Sequence, residues 1–227
     1  TILMTLSILY FKDFEALRGH IKAHRSTLFL SSQTSTVIPF QFLKDYLCPN
    51  NEDFIVGHLS GLPSEIELLK NNQLKISGGV TWQETLGYCR SLGRDLMTWP
   101  TEESANVLAG LATSATGERS FAFGSLRNQV DQIIYLNYQG EQVKLDSKKT
   151  LLKYPLFENL QNELINYQEK FIPYLKMKNG PIPRLMVETD LMIGTEGQLG
   201  VIQEAIFNTI PLKETKFIMI PLTKWEI

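Results

Sequence analysis

Three segments of this sequence combine small and polar residues in a way that could bring a backbone close to a ligand. The first is Ser31-Ser32-Gln33-Thr34-Ser35, which follows the apolar run Leu28-Phe29-Leu30. Its backbone N–H groups and hydroxyls could form a nest for a phosphate. An ordinary polar turn is the plainer reading of the same residues. No GxxxxGKS or GxxxxGKT pattern occurs, so this is not a Walker loop. The second segment spans 99–124. Pro100 and Thr101 start a turn, and the small-residue run that follows contains Ala112, Thr113, Ser114 and Ala115, with Ser120 beyond it. Such a run could line a flat cofactor, or equally serve a tight helix–sheet contact. The third segment is Gly194-Thr195-Glu196-Gly197-Gln198-Leu199-Gly200, leading into Val201 and Ile202. Glycine steps around Glu196 predict a sharp turn before a strand.

The elements that must position these segments follow from apolar periodicity. Residues 2–10 read as a buried strand. Asp13 is placed to cap a helix over 14–24 that buries Phe14, Leu17 and Ile21. Short strands are expected at 28–30, 54–59 and 74–77, with a helix starting at Pro63 and running through Leu69. Gly78-Gly79 turns the chain into a helix over 81–92, where Thr81 and Glu84 form a capping-box pattern. Residues 132–145 read as a hairpin turning at Gln139-Gly140. A helix over 155–171 points Leu156, Leu160, Leu164 and Phe171 inward. Residues 191–212 read as strand, glycine turn and long strand. Lys148-Lys149 and 177–183 read as exposed loops. Strands and helices mixed without strict alternation indicate an α+β fold.

Composition narrows the function classes. The chain has 227 residues with 22 basic and 24 acidic side chains, a net charge of −2. Nothing in that balance draws it to nucleic acid or an anionic membrane. No apolar run reaches the roughly 20 residues of a spanning helix. Two cysteines, Cys48 and Cys89, cannot build a disulfide framework. They fit a reducing, cytoplasmic compartment. His20 and His24 could share one helix face, but no third ligand is evident, so no metal site is expected.

Taken in order, the segments resemble the flavin-binding domain of the FAD-linked oxidases of the vanillyl-alcohol oxidase type (PCMH-type). That family includes D-lactate dehydrogenases and glycolate oxidase subunits. Ser31–Ser35 stands where the family reads GGGTS. Residues 74–84, LKISGGVTWQE, look like its VxxGVTWxEL strand and helix start. Residues 93–130 resemble its central motif, and GTEGQLGVIQEAIFNTIPL at 194–212 resembles its closing motif.

The resemblance covers about residues 12–213. It implies two α+β subdomains, 1–72 and 73–213, with FAD held non-covalently between them. Ser31, Ser32, Gln33, Thr34 and Ser35 would then wrap the pyrophosphate. Pro100, Thr101, Ala112, Thr113, Ala115 and Ser120 would lie along the ribityl chain and ring. Glu196, Gly200, Val201 and Ile202 would fall near the adenine half or the ring edge.

The implied activity is hydride transfer from a 2-hydroxy acid to flavin N5, a nucleotide-binding oxidoreductase. The catalytic base and substrate clamps would belong to a cap domain, whose first strand could be 216–222. Arg127 reads as a structural hydrogen-bonding residue. The sequence departs from the family at its glycines. Ser31-Ser32-Gln33 replaces a glycine triplet, Leu108-Ala109 a glycine pair, and Ser114 an asparagine. A leucine against a flavin is the hardest of these to accommodate. These departures motivate a second reading, a flavin-free or flavin-poor relative acting as a subunit or binding module. A third is a plain α+β structural domain.

Overall fold

The computed structural model describes residues 6–23, 27–30, 54–174 and 184–214. The pyrophosphate-loop candidates Ser31 to Ser35, the loop at 177–183 and the strand expected at 216–222 lie outside the described residues.

The first part of the chain runs β1 (Leu6–Tyr10), α1 (Phe14–Ala23), β2 (Thr27–Leu30) and β3 (Phe54–His58). These strands form a parallel sheet in the order β1-β3-β2. Asp13 Oδ1 accepts the Ala16 N–H at 2.7 Å, so α1 has the acidic cap its sequence predicts. Leu17 and Ile21 are buried, and Phe14 packs partly against them.

The chain continues with β4 (Glu65–Leu68), β5 (Gln73–Ser77) and α2 (Trp82–Ser91). The segment expected to start a helix at Pro63 is instead strand β4, paired antiparallel with β5. Glu65-Ile66-Glu67-Leu68 alternates with period two, and Ile66 and Leu68 pack against the core. That alternation outweighs the helix-start signal of the proline. At α2 the capping box forms as expected. Glu84 N–H donates to Thr81 Oγ1 at 3.2 Å, and Thr81 N–H to Glu84 Oε2 at 2.8 Å.

The remaining elements are β6 (Arg94–Asp95), β7 (Trp99–Pro100), α3 (Val107–Ala112), β8 (Gly117–Glu118), α4 (Ser120–Phe123), β9 (Val130–Leu136) and β10 (Gln142–Asp146). They are followed by α5 (Gln161–Phe171), β11 (Val201–Asn208) and β12 (Ile210–Pro211). A five-stranded antiparallel sheet runs β10-β9-β11-β5-β4. The β9–β10 hairpin turns through Asn137–Gly140, with Gly140 at φ 70°. The main core lies over this sheet and includes Leu74, Ile76, Trp82, Leu111, Ile133 and Phe207.

Two further expectations are corrected. Residues 155–157 form a 3-10 turn, and the α-helix begins only at Gln161. Leu164 and Phe171 are buried, but Leu156 and Leu160 face solvent. Leu191-Met192-Ile193 is buried yet is not a strand. The preceding 3-10 turn Glu188–Leu191 is held by Asp190 Oδ2, which accepts the N–H groups of Met186 and Val187. Those bonds curl the backbone away from the extended form that its apolar residues alone suggest.

A second cluster, with Phe11, Leu17, Ile21, Leu62, Leu136 and Val201, joins the first part of the chain to the five-stranded sheet. Arg18 Nε reinforces it by donating to the Gly140 carbonyl at 2.7 Å. Among the described residues no helix is long and apolar enough to cross a membrane.

Candidate functional site

The central and closing segments are assembled at the C-terminal end of α3. Asn106 starts that helix, its Oδ1 accepting the N–H groups of Leu108 and Ala109. An asparagine directly before Val107-Leu108-Ala109 is a start signal legible in the sequence but easily passed over among so many small residues. Val107, Leu108 and Leu111 face the core, and Gly110 lies against the Trp82 indole, where a Cβ would come within 3.1 Å. The small-residue run therefore does serve tight packing on this side. Ala112 and Ala115 are partly buried and also pack against that core, while Thr113 is exposed.

Leu108, expected to crowd a flavin, is only 5% exposed and belongs to the core. It presents no obstacle on the outer face.

The closing turn docks onto this helix end through its backbone. Gly194 N–H donates to the Leu111 carbonyl at 3.1 Å and Glu196 N–H to the Ala112 carbonyl at 2.8 Å. Both partners of this junction hold left-handed backbone at residues with side chains, Ser114 at φ 51° and Glu196 at φ 52°. Non-glycine residues in that region are uncommon and gather where a chain is tightly constrained. The left-handed turn also gives a physical reason for the asparagine that the resembled family carries in place of Ser114, because asparagine tolerates it well. Gly200 sits at φ 145°, and a Cβ there would meet the Leu136 carbonyl oxygen at 2.1 Å. Val201 and Ile202 are core strand residues, each 8% exposed, while the Glu196 side chain is exposed.

Pro100, Thr101 and Ser120 are brought together around Gly117. Pro100 pairs with Gly117 across the short β7–β8 ladder. Ser120 Oγ accepts the Gly117 N–H at 3.2 Å and donates to its carbonyl at 2.8 Å. Thr98 Oγ1 donates to the Glu118 carbonyl at 2.7 Å.

Beneath lies Gln129, fully buried, whose amide oxygen accepts from Met97 and Thr98 N–H and whose amide nitrogen donates to the Thr98 carbonyl. Beside it, Asp95 forms ion pairs with Arg119 at 2.8 Å and Arg90 at 3.4 Å. Both guanidinium groups lie over the Trp99 ring, at 4.8 and 5.3 Å from its centroid. Gln129 carries no local sequence signal, because Met97 and Thr98 are distant in sequence, whereas Asp95 pairs with nearby Arg90 as well as with distant Arg119.

Arg127 has the structural role its position suggests. Its Nη1 meets Asp190 Oδ1 at 3.2 Å, and its Nη2 donates to the Ile193 carbonyl at 2.7 Å. It thus anchors the residue just before Gly194. Burial pulls its guanidinium below the usual arginine value, and Asp190 opposes that shift. Cys89 is a free, buried thiol whose pKa burial pushes up to about 11, with Asp95 adding to the shift. Such a thiol is inert at neutral pH. Among the described residues no cluster of His, Cys, Asp and Glu could hold a metal ion.

No protein-family model matches this chain, and no curated protein matches it in sequence. Solved structures do match in fold. Alkyldihydroxyacetonephosphate synthase, seen in two crystal forms, superimposes with TM-scores of 0.62 and 0.60 at 14% and 15% identity. The match covers 92% of this chain and 32% of the other, so this chain spans about a third of that protein's length. The fold is α+β and of the PCMH type. The similarity reaches across nearly all of this chain and bears on architecture alone.

Proposed function

We propose that the chain is the flavin-binding domain of an FAD-dependent oxidoreductase. The observation that carries this reading is the docking of the closing turn onto the end of α3 through Gly194 and Glu196. It joins the segments that resemble the family's two motifs, within a fold shared with alkyldihydroxyacetonephosphate synthase. The small residues at the end of α3, with Thr113 exposed, and the inward-turned Leu108 support the fit of a flat ring system.

On this reading residues 1–72 and 73–213 act as two subdomains with FAD between them, not covalently attached. Ser31, Ser32, Gln33, Thr34 and Ser35 would hold the pyrophosphate through N–H and hydroxyl donors. Pro100, Thr101, Ala112, Thr113, Ala115 and Ser120 would flank the ribityl chain and ring. Glu196, Gly200, Val201 and Ile202 would approach the adenine half or the ring edge, Val201 and Ile202 with backbone because their side chains are in the core. FAD supplies a hydride acceptor at its N5 position when bound. The chain's own groups bind and orient it. A 2-hydroxy acid of the lactate or glycolate type is the proposed substrate, with acid–base groups supplied by a cap domain. The proposed setting is the cytoplasm.

The test is a titration of the purified chain with FAD, followed by absorbance and calorimetry. Saturable binding that leaves the protein yellow is expected, and Thr34→Trp or Ser35→Trp should weaken it at least tenfold. A colourless protein with no heat of binding would sink the reading. That result would favour the second one, a flavin-free relative, which the Cβ atoms of Ser31, Ser32 and Gln33 in the family's glycine positions motivate.

A further inference from the structure

An open depression of about 470 Å³ lies at the end of the five-stranded sheet where β9 starts and β10 and β11 finish, and no residue of the Gly117 or Glu196 turns lines it. Arg127, Arg184, Ser147 and Asn208 line it, with Val130 and Met186 as apolar wall. The volume suits a small molecule.

Its electrostatics are lopsided. Arg127 and Arg184 share a single carboxylate, Asp190, at 3.2 and 3.0 Å. Asp190 is itself fully buried and saturated, since it also accepts the Met186 and Val187 N–H groups at 2.9 and 3.1 Å. Asn128 Oδ1 takes a further bond from Arg184 at 3.1 Å. Near the Ser147 rim, Lys148 pairs with Asp131 at 3.3 Å, so that couple is neutral. Glu188 accepts the Asp146 N–H and keeps its negative charge beside the lining residue Val187. Among the described residues, the lining itself carries two guanidinium groups and no carboxylate.

Donors are left over as well. Asn208 Oδ1 accepts from Gln73, which leaves its amide N–H groups without a partner among the described residues. Ser147 Oγ and Arg184 Nη2 likewise have none there. A half-buried arginine with an open Nη2 donor, a hydroxyl and an amide donor, beside two apolar side chains, match an oxyanion carried on a short apolar body.

We infer that this depression is a second ligand site, for a small molecule bearing a carboxylate or phosphate, built on Arg184, Ser147 and Asn208. It is separate from the proposed flavin site but linked to it. Arg127 touches Asp190 with one nitrogen and the carbonyl of Ile193, next to the closing turn, with another.

The test uses the full chain and two probes, inorganic phosphate and butyrate, each titrated at constant ionic strength by calorimetry and by ligand-observed NMR. Saturable binding of at least one probe below about 10 mM is expected, and which probe binds identifies the headgroup. Arg184→Gln should weaken it at least tenfold. Ser147→Phe, which fills the depression without altering its charges, should abolish it while circular dichroism and thermal unfolding stay native-like. No saturable binding of either probe would overturn the assignment. So would binding that survives both substitutions, because that pattern places the anion elsewhere, for example on residues 31–35.

Discussion

Gln129 holds the turn around Gly117 from below, with Oε1 accepting from Met97 and Thr98 and Nε2 donating to Thr98. Replacing it by leucine keeps the volume but strands these backbone groups in a site with no exposure. A buried group left unsatisfied costs about 1–3 kcal/mol. Gln129→Leu is therefore expected to destabilise by at least about 2 kcal/mol in urea unfolding. A loss under about 0.5 kcal/mol would refute the hub role. Gly117 is the second sensitive residue. A Cβ there would stand 2.6 Å from Thr101 N and Trp99 O and 2.7 Å from Pro100 Cα. These are backbone atoms, so Gly117→Ala must part the β7–β8 ladder, at about 1–3 kcal/mol. On the flavin reading it also weakens FAD, whereas Gly87→Ala, where a Cβ meets nothing within 4 Å, should leave FAD affinity unchanged. Equal FAD affinity in the wild type and both variants would argue that the Gly117 turn does not touch the cofactor. The conformational demand on Gly117 is invisible in sequence, because the atoms it must avoid belong to another strand.

Strand β11 carries the pH-sensitive element. Glu204 lies on it opposite Ser77 and shares its sheet face with Lys75, Glu67 and Glu65. Burial raises its pKa above the ordinary glutamate value, Lys75 opposes this, and Glu65 and Glu67 add to it. A carboxyl whose folded pKa is raised contributes stability fully below its unfolded pKa and loses it as pH rises through the folded one. Glu204→Gln should thus raise the melting temperature at pH 7 by about a degree or two and bring no gain at pH 4. A gain of equal size at both pH values would contradict the assignment. At α2, Thr81→Ala removes the capping box and should cost about 1 kcal/mol, measured by denaturant unfolding. That helix start was legible because Thr81 and Glu84 are near neighbours in sequence. At Glu65–Leu68 Pro63 is a local helix signal, while the partner that decides for a strand, β5, lies beyond the next turn. From Pro155 to Leu160 the apolar spacing suggests helix, but Leu156 and Leu160 have no core to face.

At the scale of the molecule, one prediction decides the functional reading: the chain should bind FAD and melt at a higher temperature with it. Ligand at a hundredfold excess over its dissociation constant adds about 2.7 kcal/mol. An unchanged melting curve at saturating FAD would leave the fold intact and the flavin assignment void. The α+β architecture was within reach of the sequence, because strands, helix caps and glycine turns are written in short-range patterns that solvation and backbone sterics read directly. Thus the β9–β10 hairpin and the helix caps at Asp13 and Thr81 could be placed from neighbours alone. The tertiary structure decided what lay between distant residues. It turned Leu108 inward, set Gly194 and Glu196 against α3, and left Arg127 and Arg184 to share Asp190. Those outcomes depend on which surfaces the sheets and helices bury and which charges they bring within reach, and no local pattern along the chain encodes them.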